Sequence, residues 1–303
     1  MKAELKISFP ENKKTVAFIL LTTSVLSWSL NTVLARGMIN DIHPLSLSFF
    51  RWFTALCVII PIGLKSLSKE WEILKKNWLK MLVLSILSVT LYNTLIYCSA
   101  GYTTATNMSL IISATPALTF LLSRIFLGSR ESLARTSGML ISLAGMMLII
   151  FKGDIFTLIS LKINTGDLIT CGAILSWAVY SVLLRLFRID VSPIAFLTAI
   201  IVLGLPFIFP FYLWEYNIYG AFDITVKNVL ILLFLGIFPS ILSYLCWNEG
   251  VKLAGPNTAS MFFYLIPVFA SFIAFVFLGE EIYWYHILGG GIIFSGFFLT
   301  RNQ

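Results

Sequence analysis

The chain has 303 residues, 58% of them hydrophobic and 12% charged, with a mean hydropathy of +0.92 and a formal net charge of +7. Soluble domains carry about 25% charged residues, so this composition excludes a water-soluble monomer and specifies an integral membrane protein. The positive balance then belongs to membrane topology rather than to nucleic-acid binding. Cys57, Cys98, Cys171 and Cys246 lie in or at the ends of apolar runs and form no CxxC pair. They read as free thiols, with no disulfide framework, metal site or cofactor implied.

Residues 1–14 form a polar tail carrying Lys2, Lys6, Lys13 and Lys14, expected to be cytoplasmic. A helix follows from Thr15 to Arg36. A basic start before an apolar run is also the shape of a secretory signal, but this run is long for a signal core and has an echo deep inside the chain. The later apolar runs approach or exceed the roughly 20 residues that cross a bilayer. They are His43 to Leu64, Trp78 to Ala100, Thr103 to Leu127, Ser132 to Phe151, Gly166 to Phe187, Ser192 to Trp214, Lys227 to Gly250, Gly255 to Leu278 and Tyr283 to Arg301. The expected fold class is thus all-α, with ten transmembrane helices. Between the second and third of them, Lys65 to Asn77 reads as a short interfacial helix with its lysines at the headgroups.

The chain repeats itself. At an offset of 151, Ser109, Pro116, Phe126, Leu127, Gly128, Gly138 and Gly145 align with Ser260, Pro267, Phe277, Leu278, Gly279, Gly289 and Gly296. At an offset of 149, Leu26-Ser27-Trp28 aligns with Leu175-Ser176-Trp177, Arg36 with Arg185, and Pro44 with Pro193. The expected organisation is one five-helix repeat over 15–151, an extracytoplasmic connector over 152–165, and a second repeat over 166–301. With the N-terminus inside, sixteen of the 21 lysines and arginines fall on the cytoplasmic side and four (Arg36, Lys152, Lys162, Lys227) on the other, with Arg51 inside a helix. That asymmetry places both termini in the cytoplasm. An odd number of helices per repeat turns the second repeat upside down, as in many secondary transporters, whose substrate sites lie near the midplane between the halves.

The blocks ATPALTFLLSRIFLG and LIPVFASFIAFVFLGEE, each followed by Gly-x6-Gly, the tryptophan in the first helix of each repeat and the X-Pro start of the second resemble the drug/metabolite transporter superfamily, EamA type. The resemblance covers nearly the whole chain. It implies a central path formed by helices 1, 3, 4, 6, 8 and 9, with 5 and 10 at the back, and transport of small metabolites, often export of amino acids. The family's LGE is kept at Leu278-Gly279-Glu280 but reads Leu127-Gly128-Ser129 in the first repeat, so any role for that acid is confined to the second.

Pro116 and Pro267 fall near the middle of their helices. Each removes a helical N–H and frees an upstream carbonyl, which in lipid needs a partner or a water-lined cavity. Ser113 and Thr115 offer hydroxyls beside the first break and Tyr264 a phenol beside the second. The plain alternative is a kink that serves packing only. Arg51 is the strongly charged residue within the hydrocarbon, about 12 Å below the helix end at about 1.5 Å per residue. It is either a functional charge or a structural arginine bonded to neighbouring helices, with Asn31 and Asn93 as partners at similar depth. Glu249, beside Asn248, is either a proton-coupling carboxylate or a helix end paired with Lys252.

Trp28, Tyr92, Tyr97, Trp177, Tyr180, Tyr244, Trp247 and Tyr264 lie on the helices expected to line the path and suit a neutral, zwitterionic or aromatic solute. A lipid-facing belt is their alternative role. The amides Asn31, Asn93 and Asn248 need partners in hydrocarbon, and a solute can be one. Gly138, Gly145, Gly289, Gly290, Gly291 and Gly296, with Ser142 and Ser295, give small faces for helix packing, within a monomer or a weak homodimer. Two histidines near helix ends, and no GxSxG, HExxH or P-loop, argue against an enzyme and against ATP-driven transport.

The expectation is a multi-pass inner-membrane secondary transporter working by alternating access on a small-molecule substrate, most naturally an exporter of amino acids or related metabolites. Alternatives are an uptake permease for a vitamin or nucleoside, or a lipid-modifying enzyme or sensor without transport.

Overall fold

The computed structural model describes residues 11–36, 42–103, 105–129, 132–154, 156, 164–278 and 281–301, and these are helical with no strand. In chain order the helices are α1 (Glu11–Arg36), α2 (Pro44–Lys69), the short α3 (Trp71–Lys76), α4 (Trp78–Ser99), α5 (Ala105–Ser113), α6 (Thr115–Leu127) and α7 (Leu133–Ile150). The second half holds α8 (Thr165–Phe187), α9 (Pro193–Tyr219), α10 (Val226–Ala254), α11 (Pro256–Met261), α12 (Leu265–Leu278) and α13 (Trp284–Arg301). Among the described residues, eight helical runs are long and apolar enough to cross a membrane, with the shorter apolar Trp284–Leu299 beside them. Glu280 lies outside the described residues.

The connection after α2 corrects one expectation. α2 continues to Lys69 instead of ending at Leu64, and the separate helix is only Trp71–Lys76. Nothing in Lys65–Lys69 breaks a helix, and Pro61 sits one turn earlier without stopping it.

Helices that correspond between the halves pack antiparallel. α2 and α9 both begin with proline, whose missing N–H costs nothing at a first turn. The N-terminus of α2 is capped by Glu215 near the end of α9, whose carboxylate accepts from Leu45 N (3.0 Å), Ser46 N (2.6 Å) and Ser46 Oγ (2.7 Å). At the opposite end, Glu70 just past α2 accepts from Ser192 N, the cap of α9, at 2.7 Å. Each helix therefore caps its counterpart, with an acid where the helix dipole favours one.

α7 and α13 make the second such pair. A Cβ placed on Gly145 would sit 2.6 Å from Gly289 O, one on Gly289 2.7 Å from Gly145 O, and one on Gly296 2.5 Å from Gly138 O. Ser142 Oγ donates to Ile293 O across the same seam. Gly138 and Gly145 are the repeat equivalents of Gly289 and Gly296, so the crossing is self-complementary. Only glycine lets the backbones meet this closely. Gly290 and Gly291 face away, and a Cβ on Gly291 would meet nothing within 4 Å.

The proline breaks resolve as their chemistry requires. Pro116 cannot donate to Ile112 O, four residues back, and Thr115 Oγ1 donates there instead at 2.6 Å, while Ser113 Oγ turns to Leu110 O. The helix is interrupted at Ala114 between α5 and α6. In the second half the interruption is a 3₁₀ turn, Phe262–Tyr264, before Pro267. Two π-turns, Ile86–Tyr92 in α4 and Gly236–Leu242 in α10, stand at matching positions. The second contains Pro239, whose missing N–H leaves Leu235 O to Ser240 Oγ at 2.7 Å.

Candidate functional site

A cavity of about 640 Å³ opens at an exposed rim of Lys152, Glu281 and Tyr283 and runs inward to buried Arg51, Asn93 and Tyr244. Its walls are Trp28 and Asn31 of α1, Arg51 of α2, Tyr92, Asn93, Ile96 and Tyr97 of α4, and Ser109 and Ile112 of α5. Phe263, Ile266, Pro267, Ala270 and Ser271 come from the broken segment opposite. The volume lies within the range of roughly 300–1,000 Å³ found for small-molecule sites.

The floor is built on the two π-turns. A π-turn leaves carbonyls without their usual helical donor, and both turns aim one at the centre. Ser88 O accepts from Asn93 Nδ2 and from Tyr244 Oη, each at 2.9 Å. Pro239 O accepts from Trp28 Nε1 at 3.0 Å and from Arg51 Nη2 at 2.9 Å. Ser88 and Pro239 are equivalent at the 151-residue offset, as are Asn93 and Tyr244, and the latter two hydrogen-bond to each other at 2.9 Å. The pseudo-twofold relation of the halves thus passes through the cavity floor.

Arg51 breaks that symmetry; its equivalent, Ile200, is apolar and buried. The guanidinium is 3% exposed. Nε donates to Ser240 Oγ (2.6 Å), Nη1 to Asn93 Oδ1 (3.0 Å) and Tyr97 Oη (2.9 Å), and Nη2 to Pro239 O. All four acceptors are neutral, and no described carboxylate pairs with it. Arg51 is therefore bonded to neighbouring helices, as a structural arginine would be, and it also lines the cavity. Of the amides expected beside it, Asn93 bonds it and Asn31 does not. Asn31 Oδ1 is buried in the wall without a partner among the described residues.

Beneath the floor lies an aromatic layer. Trp28 meets its repeat equivalent Trp177 edge-on at 5.3 Å, and Trp247 lies 5.3 Å from Trp28, 5.6 Å from Trp177 and 5.2 Å from Phe263. Tyr180 Oη donates to Asn248 Oδ1 at 2.5 Å. Trp177, Tyr180, Trp247 and Tyr264 are at most 1% exposed. Trp177 Nε1, Trp247 Nε1, Asn248 Nδ2 and Tyr264 Oη have no partner among the described residues.

Of the residues singled out from sequence, Trp28, Asn31, Arg51, Tyr92, Asn93, Tyr97, Tyr244 and Pro267 line this cavity. Ser113, Thr115, Pro116, Trp177, Tyr180, Trp247, Asn248 and Tyr264 do not. Glu249 pairs with Lys252 at 2.7 Å, half-exposed and away from the cavity, which is the helix-end arrangement rather than a buried carboxylate. The helix set also changes. α8 contributes no wall residue, α2 contributes Arg51, and α7 and α13, expected at the back, reach the mouth through Met146, Ile149, Ile150, Tyr285 and His286. Only the ends of these helices nearest the mouth do so, because the glycine seam commits their middles to each other. Sequence reasoning passed over Phe263, Pro239 and Ser240. The signal was present, since Pro239-Ser240 within an apolar run is the same proline-with-hydroxyl pattern as Thr115-Pro116.

An all-helical membrane protein with a blind polar-floored cavity between antiparallel pairs of corresponding helices is built as a membrane transporter. The EamA-like transporter family model matches residues 15–151 and again 164–302. The chain belongs to that family. It is similar to the uncharacterized transporter YyaM of Bacillus subtilis (strain 168), 30% identical over 87% of this chain and 86% of that one. An uncharacterized transporter of Archaeoglobus fulgidus is 27% identical over 96% and 99%. A probable terminal-alkyne amino-acid exporter of Streptantibioticus cattleyicolor is 24% identical over 70% and 69%. A crystal structure superposes with a TM-score of 0.78 at 19% identity, over 95% of this chain and 98% of its own, a likeness of fold alone.

Proposed function

We propose that the protein is a secondary transporter that moves an amino acid or a related small metabolite across the inner membrane by alternating access, in the export direction, with both termini cytoplasmic. In that orientation the cavity faces outward and the aromatic layer closes the cytoplasmic side. The observation that carries the reading is the relation between the two. Several residues that line the cavity in the first half correspond to residues packed into the layer in the second. At the repeat offsets of 149 and 151, Asn31 corresponds to Tyr180, Ile96 to Trp247 and Tyr97 to Asn248. If the halves exchange conformations, Tyr180, Trp247 and Asn248 line an inward-facing cavity, and their unpartnered Trp and Asn donors meet water and solute there. Inverted repeats that rock about a fixed midplane site work in this way.

Substrate chemistry follows from the walls. Asn31 Oδ1 offers an acceptor for a substrate donor, and Trp28, Tyr92 and Phe263 offer apolar faces. The exporter of terminal-alkyne amino acids among the relatives supports an amino-acid cargo. With no nucleotide motif in the sequence, an ion or solute gradient drives the cycle.

The test is counterflow in proteoliposomes loaded with unlabelled amino acids, following uptake of labelled aromatic and small neutral ones. Saturable accumulation of one class that disappears in Asn31→Ala supports the reading. Absence of counterflow for every amino acid removes the cargo assignment.

A further inference from the structure

We propose that the substrate carries a carboxylate and that Arg51 is its anchor; the inference rests on the transporter reading and specifies the charge of the cargo. The starting point is an imbalance. A guanidinium 3% exposed, deep in a membrane protein, is costly without a counter-charge. Its four bonds go to a carbonyl, an amide oxygen and two hydroxyls. Glu281, the carboxylate of the cavity wall, stands at the exposed rim with Lys152. Among the described residues, the floor thus holds one positive charge with no carboxylate beside it, facing a space large enough for a metabolite.

A purely structural arginine accounts for the four bonds, which tie α2 to α4 and α10. It does not account for the placement in the cavity wall, where Ile200, at the equivalent place in the other half, packs without any charge. Nor does it use the whole guanidinium. Arginine has five N–H donors, and four are committed, so one N–H on Nη2 remains for a ligand. One free donor and one charge match a carboxylate oxygen on a monoanion. A phosphate asks for several donors and two charges, which this floor lacks. The body of the ligand then lies against Ile96, Ile112, Phe263 and Ile266. Binding brings the missing counter-charge to Arg51 in a low-dielectric site, where charge-assisted hydrogen bonds are the strong ones.

The experiment is a binding measurement on the purified full-length protein in detergent, independent of transport. Thermal stability and tryptophan emission (Trp28 borders the cavity) are followed during titration with two acid–amide pairs, 3-phenylpropionate with 3-phenylpropanamide, and acetate with acetamide. L-Phenylalanine is a fifth probe. The expected result is a saturable response to the acids with at least tenfold weaker response to the amides. Arg51→Gln abolishes that preference, and Arg51→Lys keeps it at lower affinity because the charge stays while the planar fork is lost. Should Arg51→Gln fail to fold, the wild-type acid–amide comparison still decides. Equal responses to acid and amide, or no response to any of the five, overturn the proposal. Acid-selective binding without counterflow of any amino acid would keep Arg51 as a carboxylate site and remove the amino-acid cargo assignment instead.

Discussion

The cavity and the aromatic layer beneath it share several pairs of corresponding residues, yet one is open and polar and the other closed and packed. Tyr97 lines the cavity with its hydroxyl on Arg51, whereas its equivalent Asn248 is buried and bonded to Tyr180. Ile96 faces the cavity and its equivalent Trp247 fills the layer. The difference teaches that backbone devices are shared by the two halves while side-chain bulk and charge are not. π-turns, proline breaks, reciprocal glutamate caps and the glycine seam repeat. Trp247, where the other half has Ile96, and Arg51, where the other half has Ile200, are the differences in bulk and charge between the two ends.

Four tests break or sharpen that comparison. The largest effect is expected from Trp247→Ala, which empties the centre of the layer; truncation of a buried tryptophan costs about 3–5 kcal/mol. Its structure is expected to lose the one-sided character as well. Labelling of a cysteine placed at Tyr180 from the cytoplasmic side should rise in this background, and unchanged labelling would show that the layer does not close that side.

The caps come next, and here the two halves should differ. Glu215 is 4% exposed and accepts three hydrogen bonds, whereas Glu70 is half-buried and accepts one. Bonds to charged groups contribute about 1.5–3 kcal/mol when buried, so Glu215→Ala should lower the melting temperature clearly and Glu70→Ala by less than half as much. Equal losses would mean that burial does not set the difference.

Gly145→Leu inserts a side chain where Gly289 O lies 2.6 Å from the Cβ position, and overpacking of this kind costs about 1–3 kcal/mol. Gly291→Leu, in open space, should leave thermal stability unchanged. A loss shared by both would assign the effect to glycine's conformation rather than to the seam.

The smallest change is expected from Glu249→Gln. Its pair with Lys252 is half-exposed and spaced i,i+3, an arrangement worth about 0.2–0.5 kcal/mol. Stability and the pH dependence of counterflow should both match the wild type; a lost pH dependence would restore Glu249 as a coupling group.

Amino-acid order alone determined the membrane class and placed most helix ends to within about five residues, and it displays the internal repeat. Hydropathy over about 20 residues is a local property, and residues that recur at a fixed offset need no folding to be seen. It also flagged Arg51, because a charge in a long apolar run is conspicuous wherever the helix packs, and the proline breaks, because a missing N–H is a property of the residue. Three things belonged to the tertiary structure. Which side of each helix meets the cavity depends on packing, so Trp177 and Tyr180, on a helix expected to line the path, are closed into the layer while α7 and α13 reach the mouth. The π-turn of the first half has no residue signature as plain as proline's, and so the carbonyl of Ser88 in the floor was not foreseeable, whereas Pro239-Ser240 carried a proline-with-hydroxyl signal. The neutrality of Arg51's surroundings emerged last. A counter-charge for it could have come from any acid in the chain, and only the folded arrangement, with Glu215 and Glu70 spent on helix ends and Glu249 on Lys252, leaves the guanidinium facing the cavity with no carboxylate beside it among the described residues.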